Sequence, residues 1–503
     1  MTQQVTQPQN MEDLFAVPGG WVWTSLGRIT EDVEKIYPGA NPDKEFTYLD
    51  IASIDNKQMR IFEPKRYLGK DAPSRARQLL RSGDVLFSTV RTYLKNIAIV
   101  NETYDGQIAS TGFCLIRPVS PINSKLIFYW IQTDKFLNPL NEIQRGTSYP
   151  AVRDSDVFSQ PVPLPPVAEQ HRIVAKIEEL FTDLDAGVEA LNKVKAQLKR
   201  YRQAVLKHAF EGKLTAEWRE AHKHELETAS VLLERIKEQR KKEGKQAELL
   251  PVDTSSLPQL PEGWVWARIG EVTQSMKNGL YKPLQFYGAD GTACLRMYNI
   301  ENGCIVWKNI KRMHLTPEEV QEYELKPGDI LVNRVNSREL VGKAASIPFG
   351  LEPCVYESKN IRVRLMQGHV ESKYVSFWFR VFSQAYFNRH AQQTVGMASI
   401  NQEQLGAMSL PLCSFAEQQR IVEEVELRMS IADEVEKAVG QSLKQADRLR
   451  QSILKRAFEG KLVQQDPSDE PADRLLEKIR AGRKNSSRSP QFRVQSRKQG
   501  GGR

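Results

Sequence analysis

The chain has 503 residues, 40% hydrophobic and 26% charged, with a formal net charge of +9. This is the composition of an ordinary soluble globular protein, long enough for two or three domains with full cores. It excludes a spanning helix, since no stretch approaches ~18 uninterrupted apolar residues. Five scattered cysteines (Cys114, Cys294, Cys304, Cys354, Cys413) supply neither a disulfide framework nor a CxxC pair for zinc, so a reducing cytoplasm is expected. Residues 481–503 carry seven Arg or Lys and no acid, which leaves a net charge of only +2 for the other 480 residues. That tail is polar and Gly/Ser-rich and is expected to be disordered. Bulk charge therefore does not decide the partner.

The opening MTQQVTQPQNMEDLF has neither a basic start nor an apolar run, so no secretory signal is expected there. Next comes VPGGWVWTSLGRI from Val17, followed by runs that read as strands: FTYLDIASI, DVLFSTV and IAIV, punctuated by Gly83, Gly106 and Pro118. Residues 124–143, with Leu126, Ile127, Trp130, Ile131 and Leu137, predict one amphipathic helix. The domain is thus expected to be α+β.

Residues 162–174 read VPLPPVAEQHRIV. Pro163, Pro165 and Pro166 hold the chain extended and stop a helix from growing backwards. Glu169 then places an acid where the helix dipole favours one. The spacing predicts a helix over 169–210. Ile177, Leu184, Leu191, Leu198 and Val205 fall at steps of seven, with Ile173, Leu180, Val194 and Tyr201 in the companion position, the pattern of a coiled coil.

The chain then repeats itself. LPEGWVWARIGEV returns from Leu260, PGDILVNRVN (Pro327) answers SGDVLFSTVR (Ser82), and SKYVSFW (Ser372) answers SKLIFYW (Ser124). LPLCSFAEQQRIV (residues 410–422) repeats the hinge at an offset of 248, and RQSILKRAFEGKLV repeats RQAVLKHAFEGKLT at the same offset. ASVLLERIKEQRK from Ala229 recurs as ADRLLEKIRAGRK from Ala472, offset 243, and six blocks in the same order make the repeat global. In the second helix the heptad positions are Val425, Ala432, Val439, Ala446 and Ile453. Smaller residues there would let the two helices approach closely, most simply as antiparallel neighbours in a pseudo-two-fold molecule with a globular domain at each end of a rod. The expected partition is a first globular domain (1–165), a central helical region (166–215) and a charged helical linker (216–258). A second domain (259–412), a C-terminal helical region (413–463) and a short helix with the basic tail (464–503) follow.

Catalytic patterns are missing. There is no G-x-x-x-x-G-K-[ST], G-x-S-x-G or H-E-x-x-H. His222 and His224 lie in a charged stretch, and Pro317, Glu318, Glu324 and Lys326 only loosely imitate a nuclease set; that segment reads as a solvated acidic helix. No metal site is expected.

The doubled AEQ-x-RIV hinge, RQ-x-x-LK-x-AFEGKL block, P-x-GW-x-W opening and GD-[VI]-L strand together resemble the DNA-specificity (S) subunits of type I restriction-modification systems over nearly the whole chain. LTAEWRE after the first helix resembles members with long central regions, although the second copy, LVQQDPS, departs from it and removes any symmetric role for Trp218. The resemblance implies two target-recognition domains, each reading one half of a split, asymmetric site in double-stranded DNA. It implies helices that bind two modification (methyltransferase) subunits, and restriction subunits that translocate and cleave. Catalysis would belong to those partners, with S-adenosylmethionine, ATP and Mg2+, and none of it to this chain. No membrane partner is implied.

Candidates for DNA contact are the polar and basic loop residues beside the Gly-Asp strands and near the domain ends: Ser88, Arg91, Tyr93, Lys95, Arg145 and Thr147 in the first copy, and Asn333, Arg334, Asn336, Arg338, Asn388 and Arg389 in the second. Arg and Asn match the guanine and adenine edges; as solvated residues or phosphate contacts the same side chains would carry no sequence information. Helix pairing and partner-subunit contact are assigned to Ile177, Leu184, Leu191, Leu198, Val205, Val425, Val439 and Ile453. Two other readings stay open: a DNA-binding protein with no enzyme partner, and a coiled-coil scaffold that binds no nucleic acid. A fused, single-chain restriction enzyme is disfavoured, because no catalytic region precedes the first domain.

Overall fold

The computed structural model describes residues 15–244, 251–394 and 396–486. The chain divides into two compact units, one formed by residues 1–191 and 441–503 and the other by residues 192–440. Each unit therefore joins a globular α+β domain to one part of each long helix.

In the first unit Val85–Ser88 is the centre of an antiparallel sheet, with Phe113–Ile116 on one side and Ile97–Ile99 on the other. All four residues of Val85–Ser88 are buried, so both faces of this strand are covered. A four-stranded sheet (Lys65–Leu68, Glu45–Leu49, Ile108–Ser110, Ala76–Leu79) lies in the same domain. The opening tryptophan block forms Val22–Ser25, which pairs antiparallel with Pro161–Leu164, Trp23 opposite Pro163. Proline lacks the amide a ladder needs and is tolerated here because the ribbon has only two strands. The chain then turns at Pro165 and Pro166 into the helix Val167–Phe210, 44 residues and about 66 Å long.

The second unit repeats this plan. Ile330–Asn333 lies between Asn360–Leu365 and Ala344–Ser346, and Val265–Arg268 pairs with Ser409–Leu412, Trp266 opposite Pro411. The helix Phe415–Phe458 follows, again 44 residues.

The repeated hinge string has a structural cause in each unit. Trp21 donates its indole N–H to the Glu169 carboxylate at 2.8 Å, and Trp264 does the same to Glu417 at 2.8 Å. Gln170 accepts from the Asn123 amide and donates to the Pro165 carbonyl, each at 3.0 Å; Gln418 accepts from Glu371 at 2.9 Å and donates to Cys413 at 3.0 Å. All four hinge side chains are at most 2% exposed. The AEQ string thus ties the start of each long helix to the opening ribbon and to the N-terminus of a domain helix. Buried polar groups of this kind persist only when paired.

Within each unit the helices pair antiparallel. In the first, Ile173, Ile177 and Phe181 share an apolar cluster with Ile453, Leu454 and Phe458. In the second, Val205, Leu206 and Phe210 cluster with Ile421, Val422 and Val425. Of the heptad residues on the second helix, Val425, Ala432, Val439, Ala446 and Ile453 are all buried. On the first helix Ile177 and Val205 are buried and Leu184, Leu191 and Leu198 half-buried. Each fully buried aliphatic side chain contributes about 1.5–3 kcal/mol. Tyr201, placed in the companion stripe, is instead 42% exposed.

Two expectations need correction. Residues 124–143 form two helices, Ser124–Trp130 and Asp134–Glu142. Thr133 breaks the run: its hydroxyl donates to the Trp130 carbonyl at 2.7 Å and its side chain caps the second helix at Phe136. In the basic tail, the helix Ala472–Ser486 extends past Ala481; residues 487–503 lie outside the described residues, as do the first fourteen.

Candidate nucleic-acid interface

Each Gly-Asp strand leads into a loop, and in both units the same two supports hold that loop. The first is the turn before the neighbouring strand. Thr89 donates both its amide and its hydroxyl to the Gly112 carbonyl at 3.1 Å, and the Arg334 amide donates to the Lys359 carbonyl at 2.8 Å. The second is a hairpin close to the domain end. Val90 bridges Ala151, and Val335 pairs with Ser399 in the hairpin Gln392–Thr394/Met397–Ser399.

In the first unit Arg91 and Lys95 bracket the single turn Thr92–Leu94, with φ of 50° and 53°. Left-handed backbone is uncommon for residues with a β-carbon and needs surrounding contacts to hold it. Those contacts are present. The Arg91 amide donates to the Pro150 carbonyl at 2.7 Å, and its guanidinium donates to the Ser148 carbonyl at 3.0 Å while lying 4.9 Å over the Tyr149 ring. Thr92 donates to Asn141 and accepts from Gln144, both at 2.6 Å. The loop therefore presents Tyr93 (53% exposed) and Tyr149 (71% exposed) on a fixed backbone. Lys95 lies 3.7 Å from Asp134. Arg145 is bonded to Asp156 at 2.8 Å, and Thr147 is exposed. Burial works to raise the Asp156 carboxyl, but the hydrogen bond and charge of Arg145 outweigh it and hold the group below its ordinary range.

Three sequence candidates turn inward. Ser88 is buried and donates to the Val90 carbonyl at 2.9 Å. Asn333 is fully buried, donating to the Asn360 side-chain oxygen at 2.7 Å and accepting from Asn336 at 2.9 Å. They lie on, or just beyond, strands covered on both faces, so polar side chains there must pair with one another. They brace the loop and do not offer an edge to DNA.

The remaining candidates of the second unit reach the surface. Arg334 is half-buried and donates to the Ser358 carbonyl at 3.3 Å; Arg338 is exposed. Asn388 is half-buried and Arg389 exposed, at the end of the helix Ser372–His390. Sequence reasoning missed Glu357, which ties together what flanks the loop. It accepts from the Arg296 guanidinium at 3.1 Å and the Met297 amide at 3.3 Å, and the Ser358 amide beside it donates to Leu280 at 2.9 Å. Tyr298, with Arg296 5.0 Å over its ring, and Tyr281 are 62% and 79% exposed. The interleaving of aromatic and basic residues in GLYK and LRMYN was the available signal. Among the described residues no group of three or more His, Cys, Asp or Glu could hold a metal, and His222 stacks on Trp218 at 4.6 Å.

Residues 48–200 match the family described as the type I restriction modification DNA specificity domain. The chain is similar to the type I restriction enzyme StySPI specificity subunit of Salmonella potsdam, 27% identical over 74% of each chain. It is also similar to the EcoKI specificity subunit of Escherichia coli K12, 26% identical over 74% of this chain and 75% of that one. Among solved structures, a chain from a study of complex assembly and conformational transition of the type I R-M system covers 89% of this chain and all of its own, at 28% identity and a TM-score of 0.71. The HsdS subunit from Thermoanaerobacter tengcongensis covers 90% of this chain and all of its own, at 27% identity and a TM-score of 0.56. Residues 48–200 thus match a type I restriction-modification DNA specificity domain, and over most of its length the chain is similar to the DNA-specificity subunits of these systems.

Proposed function

We propose that the two units read the two halves of a split, asymmetric site in double-stranded DNA, one half-site each. The observation that carries this reading is the repeated mounting of an arginine-bearing loop with exposed aromatics beside it. Both copies hang from the same buried frame, yet their surface residues differ: Arg91, Tyr93 and Tyr149 in one, Arg334, Arg338 and Tyr298 in the other. A common frame with unlike loops is what two different half-sites require, since base edges are told apart by side-chain identity.

The chain itself performs no chemistry on this reading. Two modification subunits dock on the helices and methylate adenine with S-adenosylmethionine; restriction subunits use ATP and Mg2+ to translocate and cleave. The complex works in the cytoplasm, and among the described residues no helix is long and apolar enough to cross a membrane.

The test is domain exchange. Residues 21–161 are replaced by the corresponding segment of a relative, the variant is produced with its modification subunits, and methylated adenines are mapped across the host genome. One half of the methylated motif should change while the other stays. A change in both halves, or in neither, refutes the reading, as would turnover by the rigorously purified single chain.

A further inference from the structure

Beside Arg91 in the first unit lies a cleft of about 420 Å³. Ile51, Val90 and Leu94 give it apolar walls, and Arg75, Arg91 and Tyr149 line it as well. One further polar residue belongs to it, Asn96, which is 9% exposed. The Asn96 carbonyl accepts from the Ser88 amide at 3.0 Å, but its carboxamide has no hydrogen-bond partner among the described residues. In the second unit the same ladder position belongs to Lys343, whose carbonyl accepts from Asn333 at 2.7 Å. The Lys343 ammonium is satisfied, donating to the Ile300 carbonyl at 3.0 Å. The open amide is therefore a feature of the first unit and not of the shared frame.

The amide keeps some contact with solvent, and an unpaired carboxamide on a residue that lines a cleft can pair with a ligand there. A carboxamide donates and accepts side by side, the pattern that fits the N6/N7 edge of adenine. Apolar walls with an aromatic ring and a guanidinium beside them suit the faces of a flat heterocycle. Asn96 is too deeply buried to meet a base edge that stays in the duplex stack, so the base must come out to it.

We propose that this cleft takes one unstacked purine of the bound DNA, its edge read by Asn96 and its face set against Tyr149. The proposal rests on the reading of the first unit as a DNA-recognition domain. It makes Asn96 a specificity-determining residue of a kind the second unit lacks.

The experiment uses the full chain and duplexes bearing its mapped recognition sequence. Each base pair of the first unit's half-site is replaced in turn by a mismatch that keeps the purine. A mismatch removes the cost of unpairing, so at one position binding should strengthen about 5- to 10-fold, while mismatches elsewhere weaken it. Asn96→Leu should abolish the strengthening, and so should Tyr149→Ala, whose ring is 71% exposed and outside the apolar clusters, while the Arg91 hydrogen bonds to Ser148 and Pro150 remain. If every mismatch weakens binding and both variants match the parent chain on every duplex, the proposal is overturned while the DNA reading stands. If the parent chain shows no sequence preference, the DNA reading itself fails. A parallel titration with adenosine monophosphate separates the sources of the base. Saturable binding of the free nucleotide, lost in Asn96→Leu and unaccompanied by a mismatch effect, overturns the assignment to DNA.

Discussion

Asp84 and Arg117 meet side on, Nε to Oδ1 and Nη2 to Oδ2, both at 2.7 Å, with side chains only 1% and 7% exposed. Asp329 and Arg364 repeat the geometry at 2.7 and 2.6 Å. In each copy the aspartate also accepts the amide three residues before it, Arg81 or Lys326, at 2.8 Å. The Gly-Asp pair is thus a turn fixed by a bidentate ion pair, and Gly83, at φ 90°, takes the left-handed backbone the turn demands. Replacing one partner strands the other charge in the interior. Asp84→Asn should destabilise the first unit by about 3–5 kcal/mol, and the double change Asp84→Leu with Arg117→Met by clearly less. Denaturant melts of both variants check this.

Glu169 gives a pH dependence with a definite sign. Burial pushes its carboxyl above the ordinary range, and the Trp21 hydrogen bond only partly offsets this. The folded state therefore holds the proton more tightly than the unfolded chain, so stability should fall as pH rises from the unfolded value, about 4.3, through the folded one. Glu169→Gln keeps an acceptor for Trp21 and removes the titration. The variant should gain on the parent as pH climbs through that window and level off above it. A pH series of thermal melts decides the matter; parallel curves would contradict it.

The helices offer a paired test. Ile453 is 7% exposed within the apolar cluster of the first unit, whereas Leu427, on the same helix, is 57% exposed. Ile453→Ala should cost about 2–5 kcal/mol, and Leu427→Ser should stay within about 0.5 kcal/mol. Equal losses would mean that the heptad positions are not what packs.

Two arginines should fail in different ways. Arg91 is held rigid by Ser148 and Tyr149, the state suited to reading a base. Arg91→Ala should lose about 1–3 kcal/mol of discrimination at one base pair. Arg338 is exposed and suited to a phosphate. Arg338→Ala should weaken all duplexes alike and lower the salt slope by about one. Binding measured over a salt series and a panel of point-changed duplexes separates the two.

The frame was largely legible in the sequence because it repeats. The long helix expected over 169–210 runs from Val167 to Phe210, and the doubled hinge marks its start. What the hinge residues touch was hidden, since Trp21 and Glu169 are 148 positions apart and no local pattern links them. The break at Thr133 was missed because the apolar spacing runs straight through it, while a single hydroxyl ends the turn. In the loops, type and position pointed to Arg91 and Arg338, but Ser88 and Asn333 were misplaced to the surface. A strand covered on both faces turns its polar residues toward each other, which composition alone does not reveal.

The first unit is assembled from two separated stretches of chain, whereas the second is continuous. Its apolar cluster joins Trp21 and Val85 to Ile453, Phe458 and Leu475. On a ribosome moving at about 5–20 residues per second, roughly 13–50 s pass between the emergence of residue 191 and that of Ile453. For that interval Ile173, Ile177 and Phe181 have no partner helix, while the second unit is made within it and has every one of its residues once Gly440 has emerged, before Ile453 appears. The domain made first is therefore the one completed last, and the nascent chain must shield its open apolar face until its final helices arrive.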